Sequence, residues 1–557
     1  MKRNILYTLL LGGTLLTATG CSDWLDVNDN PNEPSVSVIS SEYLLTSVQN
    51  DMDRERVYYA NINYLAQHMT KSGDYAGSYP FLTGNVSNDD FDDYWEDRYA
   101  RILNLKTIED KAIEEEDPGM QAIAKTLLGV EFQELVDMFG DVPYTQAALV
   151  EEYLNPVYDD AETIYSSIIE DMQAAIDLFD EAINDDSYSS SYLSSADIYF
   201  GGDMEGWREY AASVKLGMLM RISNVSSVST EIKAILDDVL DIDTNVTGNP
   251  GYYKAYVNSY NKMNPKYYLW GYSYLDAERS GHKSSNPTEF MVKFLRDTNN
   301  PLLRVFADAR RYLKDSDDGL SDYAKYDLDQ EYYIGTPFGQ MTPPPGGYVS
   351  KFGWGVLSMT CSTTTGPTQD MIVYPGYLTG FFLAEAALRG LIDGGDSKAQ
   401  EYYEASITAL FNTYETALQS DQSTWISYSW PAGAKDPITG TAAEAAEEYY
   451  TQDDASVNWS LMTTDDEKME AIQMQKWLSL YMVNPLEAWS EVRRTDLPNL
   501  PRSHSAYYSY KLMARCLYPQ TEMTLNPDNF VSGIDQFEDL IFWDTDNPER
   551  EAPTTYD

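Results

Sequence analysis

Cysteine and histidine are scarce in this chain, three of each among 557 residues. His68, His282 and His504 stand far apart, so zinc held by clustered Cys and His is not expected. Three cysteines cannot form a disulfide scaffold, and stability must come from packing. The spacing of Cys361 and Cys516 does not decide whether they pair. Basic residues are also few: 38 Lys and Arg stand against 89 Asp and Glu, a net charge of −51. A field of that sign repels phosphate backbones, which makes nucleic acid a poor partner, and it argues against a basic-patch contact with anionic lipid. The strings H-E-x-x-H, G-x-S-x-G and G-x-G-x-x-G and the P-loop are missing, so no cofactor, metal or catalytic residue is assigned. The acidic run Asp89-Asp90-Phe91-Asp92-Asp93 lacks the spacing of a calcium loop and reads as a solvated charge run.

The apolar run from Ile5 to Leu16 is too short for a bilayer span, which needs roughly 20 residues. It follows Lys2-Arg3 and precedes the small residues Ala18-Thr19-Gly20, the layout of a signal peptide over 1–20. Cys21 directly follows. Its thiol can take a diacylglycerol, and cleavage frees its amine for a further acyl chain. Two or more chains anchor a protein far better than one, at about 0.8 kcal/mol per buried CH₂. The mature protein is therefore expected to begin at a lipidated Cys21, with 21–38 as an extended acylated tether. The alternative is an ordinary secreted protein with an incidental Cys21, since Ala18 stands where a bacterial lipobox usually has Leu.

Aromatic residues are abundant, with 45 Tyr, 11 Trp and 17 Phe. Tyrosine joins a flat apolar face to a polar tip and suits wet contact surfaces. Helical periodicity is strong. Asp117, Pro118 and Gly140 bound a helix over 118–139, with Met120, Ile123, Ala124, Leu127, Leu128, Glu131, Gln133, Leu135, Val136 and Phe139 along its buried stripe. A second runs over 161–183. Others are predicted at 41–70, 91–115, 204–223, 286–297, 376–391, 398–418, 466–482 and 484–492, arranged as helical hairpins of irregular spacing. Irregular regions near 225–375 and 421–465 are rich in Gly, Pro, Ser, Asn and Tyr, and long loops in a compact body are usually functional or disordered.

Several strings then stand in a telling order: Cys21 with its acidic Asn/Pro-rich tether, Phe139-Gly140-Asp141-Val142-Pro143-Tyr144, Asn300-Pro301-Leu302-Leu303, Phe382-Leu383-Ala384-Glu385-Ala386-Ala387, Glu487-Ala488-Trp489-Ser490-Glu491-Val492-Arg493-Arg494-Thr495, and Arg515-Cys516-Leu517-Tyr518-Pro519 with Glu522 and Asn526. The set resembles the SusD/RagB family of outer-membrane lipoproteins of Bacteroidota over nearly the whole mature chain. Asn300-Pro301-Leu302-Leu303 departs from the commoner Asp-Pro-Arg-Leu. The resemblance implies a mostly α fold, an irregular tetratricopeptide-like helix-pair scaffold with long ligand-binding loops, in a single large domain over 39–557. It also implies a surface-exposed, lipid-anchored protein of the outer membrane that binds a nutrient, usually an oligosaccharide, and delivers it to a SusC-like TonB-dependent transporter. Ser22-Asp23 is similar to the acidic export signal of such lipoproteins.

A sugar ring has apolar CH faces and a polar rim, so aromatic side chains and planar polar groups are its natural partners. Trp95 and Arg98 lie one turn apart and can share a surface. The resemblance implies that a Trp near the start of this helix, and the loop before it with Tyr75, Tyr79 and Phe81, line the ligand site. Helical spacing fits a core position for Trp95 equally well, and better for Tyr99. If 267–274 is extended, Tyr268, Trp270, Tyr272 and Tyr274 fall on one face. Trp354 between Gly353 and Gly355 is a further candidate, its ring made prominent by close backbone approach. Glu385, Glu491, Arg493 and Arg494 read as buried ion pairs that hold helices together. Two other readings stay open: the same family with peptide or other nutrient cargo, and an acidic helical glycoside hydrolase with two carboxylates about 5–10 Å apart.

Overall fold

The computed structural model describes residues 39–58, 60–73, 79–149, 152–225, 236, 256–260, 262–275, 277–309, 333–340, 349–358, 366–420, 437–504 and 512–545. The expected signal peptide and tether, with Cys21, and Tyr75 and Cys361 lie outside them. The main helices are α1 (Ser41–Tyr58), α2 (Asp92–Glu114), α3 (Pro118–Phe139), α4 (Ala161–Asn184), α5 (Met204–Arg221), α6 (Glu289–Asp297), α7 (Gly376–Leu388), α8 (Gly395–Thr413), α9 (Ala442–Tyr450), α10 (Asp465–Ser479) and α11 (Pro485–Thr495). None of the described helices is long and apolar enough to cross a membrane.

Local chemistry sets many of these boundaries. The carboxylate of Asp117 accepts the Met120 N–H at 3.0 Å, Pro118 opens α3, and Gly140 closes it. Asp160 caps α4 and Asn484 caps α11, while Thr441/Glu444 and Thr464/Glu467 form capping boxes on α9 and α10. Each such cap contributes about 1 kcal/mol. The helix expected over 41–70 stops short of its expected end. After α1 and a short helix at Ala60–Leu65, the chain forms strand β1 (Met69–Lys71), antiparallel to β2 (Ser285–Pro287). A long-range pairing has overridden local propensity at both ends, for β2 also delays the start of α6.

Successive helices pack as pairs: α1 on α2, α2 on α3, α3 on α4, and α4 on α5. Helix α4 is an outer helix. Its stripe of Ile164, Tyr165, Ile168, Ile169, Met172, Ile176 and Phe179 is buried, each large side chain contributing about 1.5–3 kcal/mol. Helix α3 is enclosed between its neighbours and buries even Glu131. Helix α7, buried nearly all round, packs on α5, α8 and α10 and joins the two halves of the scaffold. One large core results among the described residues, with a small satellite cluster of Val292, Ala307, Ala309 and Tyr333, in a mostly helical tetratricopeptide-like body as expected.

Two buried charge networks lock this body. In the first, the Arg494 guanidinium donates to both oxygens of Glu385, at 2.8 and 2.6 Å, and to Glu491 at 2.6 Å. Arg221 donates to Glu491 at 2.5 Å and to Glu487 at 2.7 Å, and Lys476 also pairs with Glu491. Helices α5, α7, α10 and α11 are thereby joined. Burial alone would raise the Glu385 carboxyl, but Arg494 and Lys476 outweigh it and hold the group down at about 2. Arg493 differs from its expected role. It donates to the carbonyls of Ala514 and Asp137 at 2.8 and 2.7 Å and lies over the Trp489 ring, and burial lowers it to about 10. In the second network Arg98 and Arg101 of α2 meet Glu55 of α1 and Glu131 of α3. Arg98 is also 2.5 Å from Glu134.

Candidate ligand-binding surface

Two aromatic groups carry the exposed or half-exposed candidates. The first grows from Asn264, whose side chain accepts the Tyr267 N–H at 3.0 Å and starts a short helix at Pro265–Trp270. Gly271 ends it, because a Cβ there would meet the Tyr267 carbonyl at 2.7 Å. The chain then makes a tight loop. Ser273 N–H donates to Ala277 O at 2.9 Å, Arg279 N–H donates to Gly271 O at 3.0 Å, and Tyr272 bridges Glu278.

This geometry corrects the expected aromatic row. Residues 267–274 are a helical turn followed by a loop, so their rings diverge. Trp270 turns into the core and packs edge-on against Phe352 at 5.6 Å. Tyr268 is half-buried beneath the Arg279 guanidinium, 4.0 Å from its ring centre. Tyr272, also half-buried, stacks on Trp354 at 5.3 Å and stands 5.7 Å from the His282 ring. His282 Nδ1 lies 2.8 Å from a Glu278 carboxylate oxygen. Tyr274 is 38% exposed at the loop tip and meets Tyr260, 62% exposed, at 6.0 Å in a T-shaped contact. Val257 and Leu275 are exposed beside them.

Trp354 is a second correction, for it is only 4% exposed. Gly353 and Gly355 do permit close approach, but inward: a Cβ on Gly353 would sit 2.1 Å from the Val305 carbonyl. The indole is the floor of the Tyr272 stack rather than a prominent ring. Trp95 is likewise core, 4% exposed among Tyr99, Phe139, Tyr158 and Tyr518. Arg98 turns away from it into the buried carboxylates, so the two share no ligand surface.

The second group starts at Tyr79, half-buried at the entry to the short helix Pro80–Thr83. Its ring packs on Tyr64 at 5.5 Å, with the Lys71 ammonium 5.9 Å from its centre. Tyr64, whose hydroxyl lies 2.6 Å from Ser285 Oγ, forms one wall of a small open cleft. Phe81, Leu82, Phe338 and Phe537 line it, with Gln67 and Arg502 as polar members. Sequence reasoning missed Tyr260 and Arg279. The tyrosine-rich stretch around 252–260 offered a signal for the first, and no motif marked the second. Among the described residues, no group of three or more His, Cys, Asp or Glu side chains is placed to hold a metal.

A family model described as SusD-like, "Starch-binding associating with outer membrane", matches residues 31–519. The chain belongs to the SusD-like family. Solved structures agree in fold. A SusD/RagB family protein from Bacteroides thetaiotaomicron aligns with a TM-score of 0.69 at 16% identity, covering 91% of this chain and 100% of that one. A SusD homologue from Bacteroides fragilis gives 0.66 at 19% identity, with the same coverage. A chitin-binding protein also gives 0.66 at 19% identity, again covering 91% and 100%. No curated protein matches the sequence.

In this SusD-like protein the motifs that carried the resemblance do structural work. Gly140 takes φ +81, with the Arg515 guanidinium 3.0 Å from where a Cβ would stand. Asp141 accepts the Ala161 N–H at 2.9 Å, and Cys516, a buried free thiol, donates its N–H to Met138 O at 2.7 Å. The exposed tyrosines lie outside those motifs.

Proposed function

We propose that this SusD-like protein is a surface-exposed outer-membrane lipoprotein, anchored through Cys21, that binds oligosaccharide without cleaving it and delivers it to a SusC-like TonB-dependent transporter. The family description supports the association with the outer membrane and with glycans, and a neighbour of the same fold is a chitin-binding protein. The exposed Tyr260–Tyr274 pair beside the Tyr272–Trp354 stack carries the reading. Rigid rings offer apolar faces for sugar CH groups, while the half-exposed Glu278 provides a polar group close by. Tyr268, capped by Arg279, extends the polar and aromatic margin.

The test is retention of the mature protein in gels loaded with soluble starch, chitin oligomers and other glycans, with peptides screened in parallel. Wild-type chain should be retarded by at least one glycan and release no reducing ends. Tyr260→Ala with Tyr274→Ala should weaken retention about tenfold or more, as loss of two stacking rings would. Release of reducing ends would favour a hydrolase, and binding of peptides alone would change the cargo.

A further inference from the structure

Arg279 is a cation without a counter-charge. Arg98, Arg101, Arg221, Arg389 and Arg494 each meet at least one carboxylate, as expected in a chain with 89 acidic and 38 basic residues. Arg279 meets none among the described residues, where its side chain forms no ion pair and donates no hydrogen bond. Its backbone is held on both sides, the N–H donating to Gly271 O at 3.0 Å and the carbonyl accepting the Lys283 N–H at 3.3 Å. Its guanidinium lies 4.0 Å from the Tyr268 ring centre. Nε is buried, so the half-buried side chain reaches solvent with its two terminal nitrogens. A ring beneath a guanidinium occupies its face and leaves the in-plane N–H fork free. The surrounding chain is also unusual in charge. From Thr244 to Lys283 five basic residues stand against two acidic ones, Asp276 and Glu278. Lys262 is exposed on the turn that carries Tyr260, and Lys283 is 56% exposed just after the loop. Glu278 meets His282 at 2.8 Å and Lys283 at 3.9 Å, and not Arg279.

We infer that the Tyr260–Tyr274 surface takes an acidic oligosaccharide, with the terminal nitrogens of Arg279 receiving the carboxylate of a uronic acid residue. The inference rests on the glycan-binding reading above and names its substrate class. A carboxylate matches the guanidinium fork with two parallel N–H···O bonds, each about twice as strong as a bond between neutral groups. A neutral sugar would leave the charge unmatched. The bond from Arg279 N–H to Gly271 O closes the base of the loop whose tip is Tyr274, so one short segment presents the cation and the ring together. The net charge of −51 does not forbid an anionic ligand. Exposed charges are screened beyond about 8 Å at physiological salt, and the local excess of cations decides.

The experiment is titration calorimetry of the mature chain with trigalacturonate, trimannuronate and a hyaluronan tetrasaccharide, against maltotriose, cellotriose and chitotriose as neutral controls. Wild type should bind at least one of the acidic sugars, and more tightly than any neutral one. Methyl esterification of that uronate removes the charge and keeps the ring, and should weaken binding about tenfold or more. Arg279→Gln should lose the same factor for the acid, bind the ester as wild type does, and unfold near the wild-type temperature. The ester comparison needs no variant and decides the matter if Arg279→Gln fails to fold. Equal affinity for acid and ester, or an unchanged preference for the acid in folded Arg279→Gln, overturns the inference. Binding confined to neutral sugars overturns it while leaving the glycan reading standing, and absence of any glycan binding overturns both.

Discussion

Tyr272 lies nearly parallel on Trp354, ring centroids 5.3 Å apart and planes inclined by 18°. The lower ring is core and the upper is half-exposed, so one stack joins the interior to the surface. Substitutions on its two sides should therefore separate. Trp354→Ala removes a buried indole and should cost about 3–5 kcal/mol in urea unfolding. Tyr274→Ala, at the exposed tip of the same loop, should stay within about 0.5 kcal/mol. Trp95→Ala belongs with Trp354→Ala, since its four aromatic neighbours enclose it. Wild-type stability in Trp95→Ala would return that ring to the surface.

The Arg494 network makes a contrasting pair possible. Arg494→Met leaves Glu385 and Glu491 buried with Lys476, Arg221 and Arg389 to offset them. Breaking a buried pair from one side should cost about 3–5 kcal/mol. Lys398→Ala removes an ion pair to Glu401 at 2.8 Å on the exposed face of α8, and should cost less than about 1 kcal/mol. Equal effects in urea unfolding would mean that the network is solvated.

The boundaries of α3 were legible because every signal was local: Asp117 as cap, Pro118 as first residue, Gly140 as stop. Two further signals are local as well: Asn264-Pro265 is a cap followed by a first-turn proline, which favours a helical turn over an extended 267–274, and Thr441 with Glu444 marks the start of α9 inside the irregular region 421–465. Trp95 was undecidable from spacing, because a ring at helical period is core or surface according to what lies across from it, and Tyr158 and Tyr518 come from distant segments. Glu131 sat rightly on the buried stripe of α3, but only the arrival of Arg98 and Arg101 explains how a carboxylate can remain there.

The pH dependence of stability should carry the mark of His68. The ring is fully buried, 4.6 Å from Trp477 and 5.6 Å from Tyr481. Its Nε2 lies 2.8 Å from the Trp477 carbonyl and so carries the donated proton, while Nδ1 has no partner. Burial drives the imidazole down to about 3, although the hydrogen bond to that carbonyl pulls the other way. The unfolded chain takes up this proton near pH 6.5, so between those two values it binds more protons than the folded one. The His68 contribution to stability is therefore complete above about pH 6.5 and declines on acidification, by about 1.4 kcal/mol per pH unit. His68→Gln removes the titration and keeps an N–H for the carbonyl. It should be less stable than wild type at pH 7.5, yet its unfolding free energy should fall less steeply between pH 6 and 4.5, the difference being that of one proton. Two parallel curves, offset by a constant, would show that His68 is already charged in the folded protein or that its ring reaches solvent.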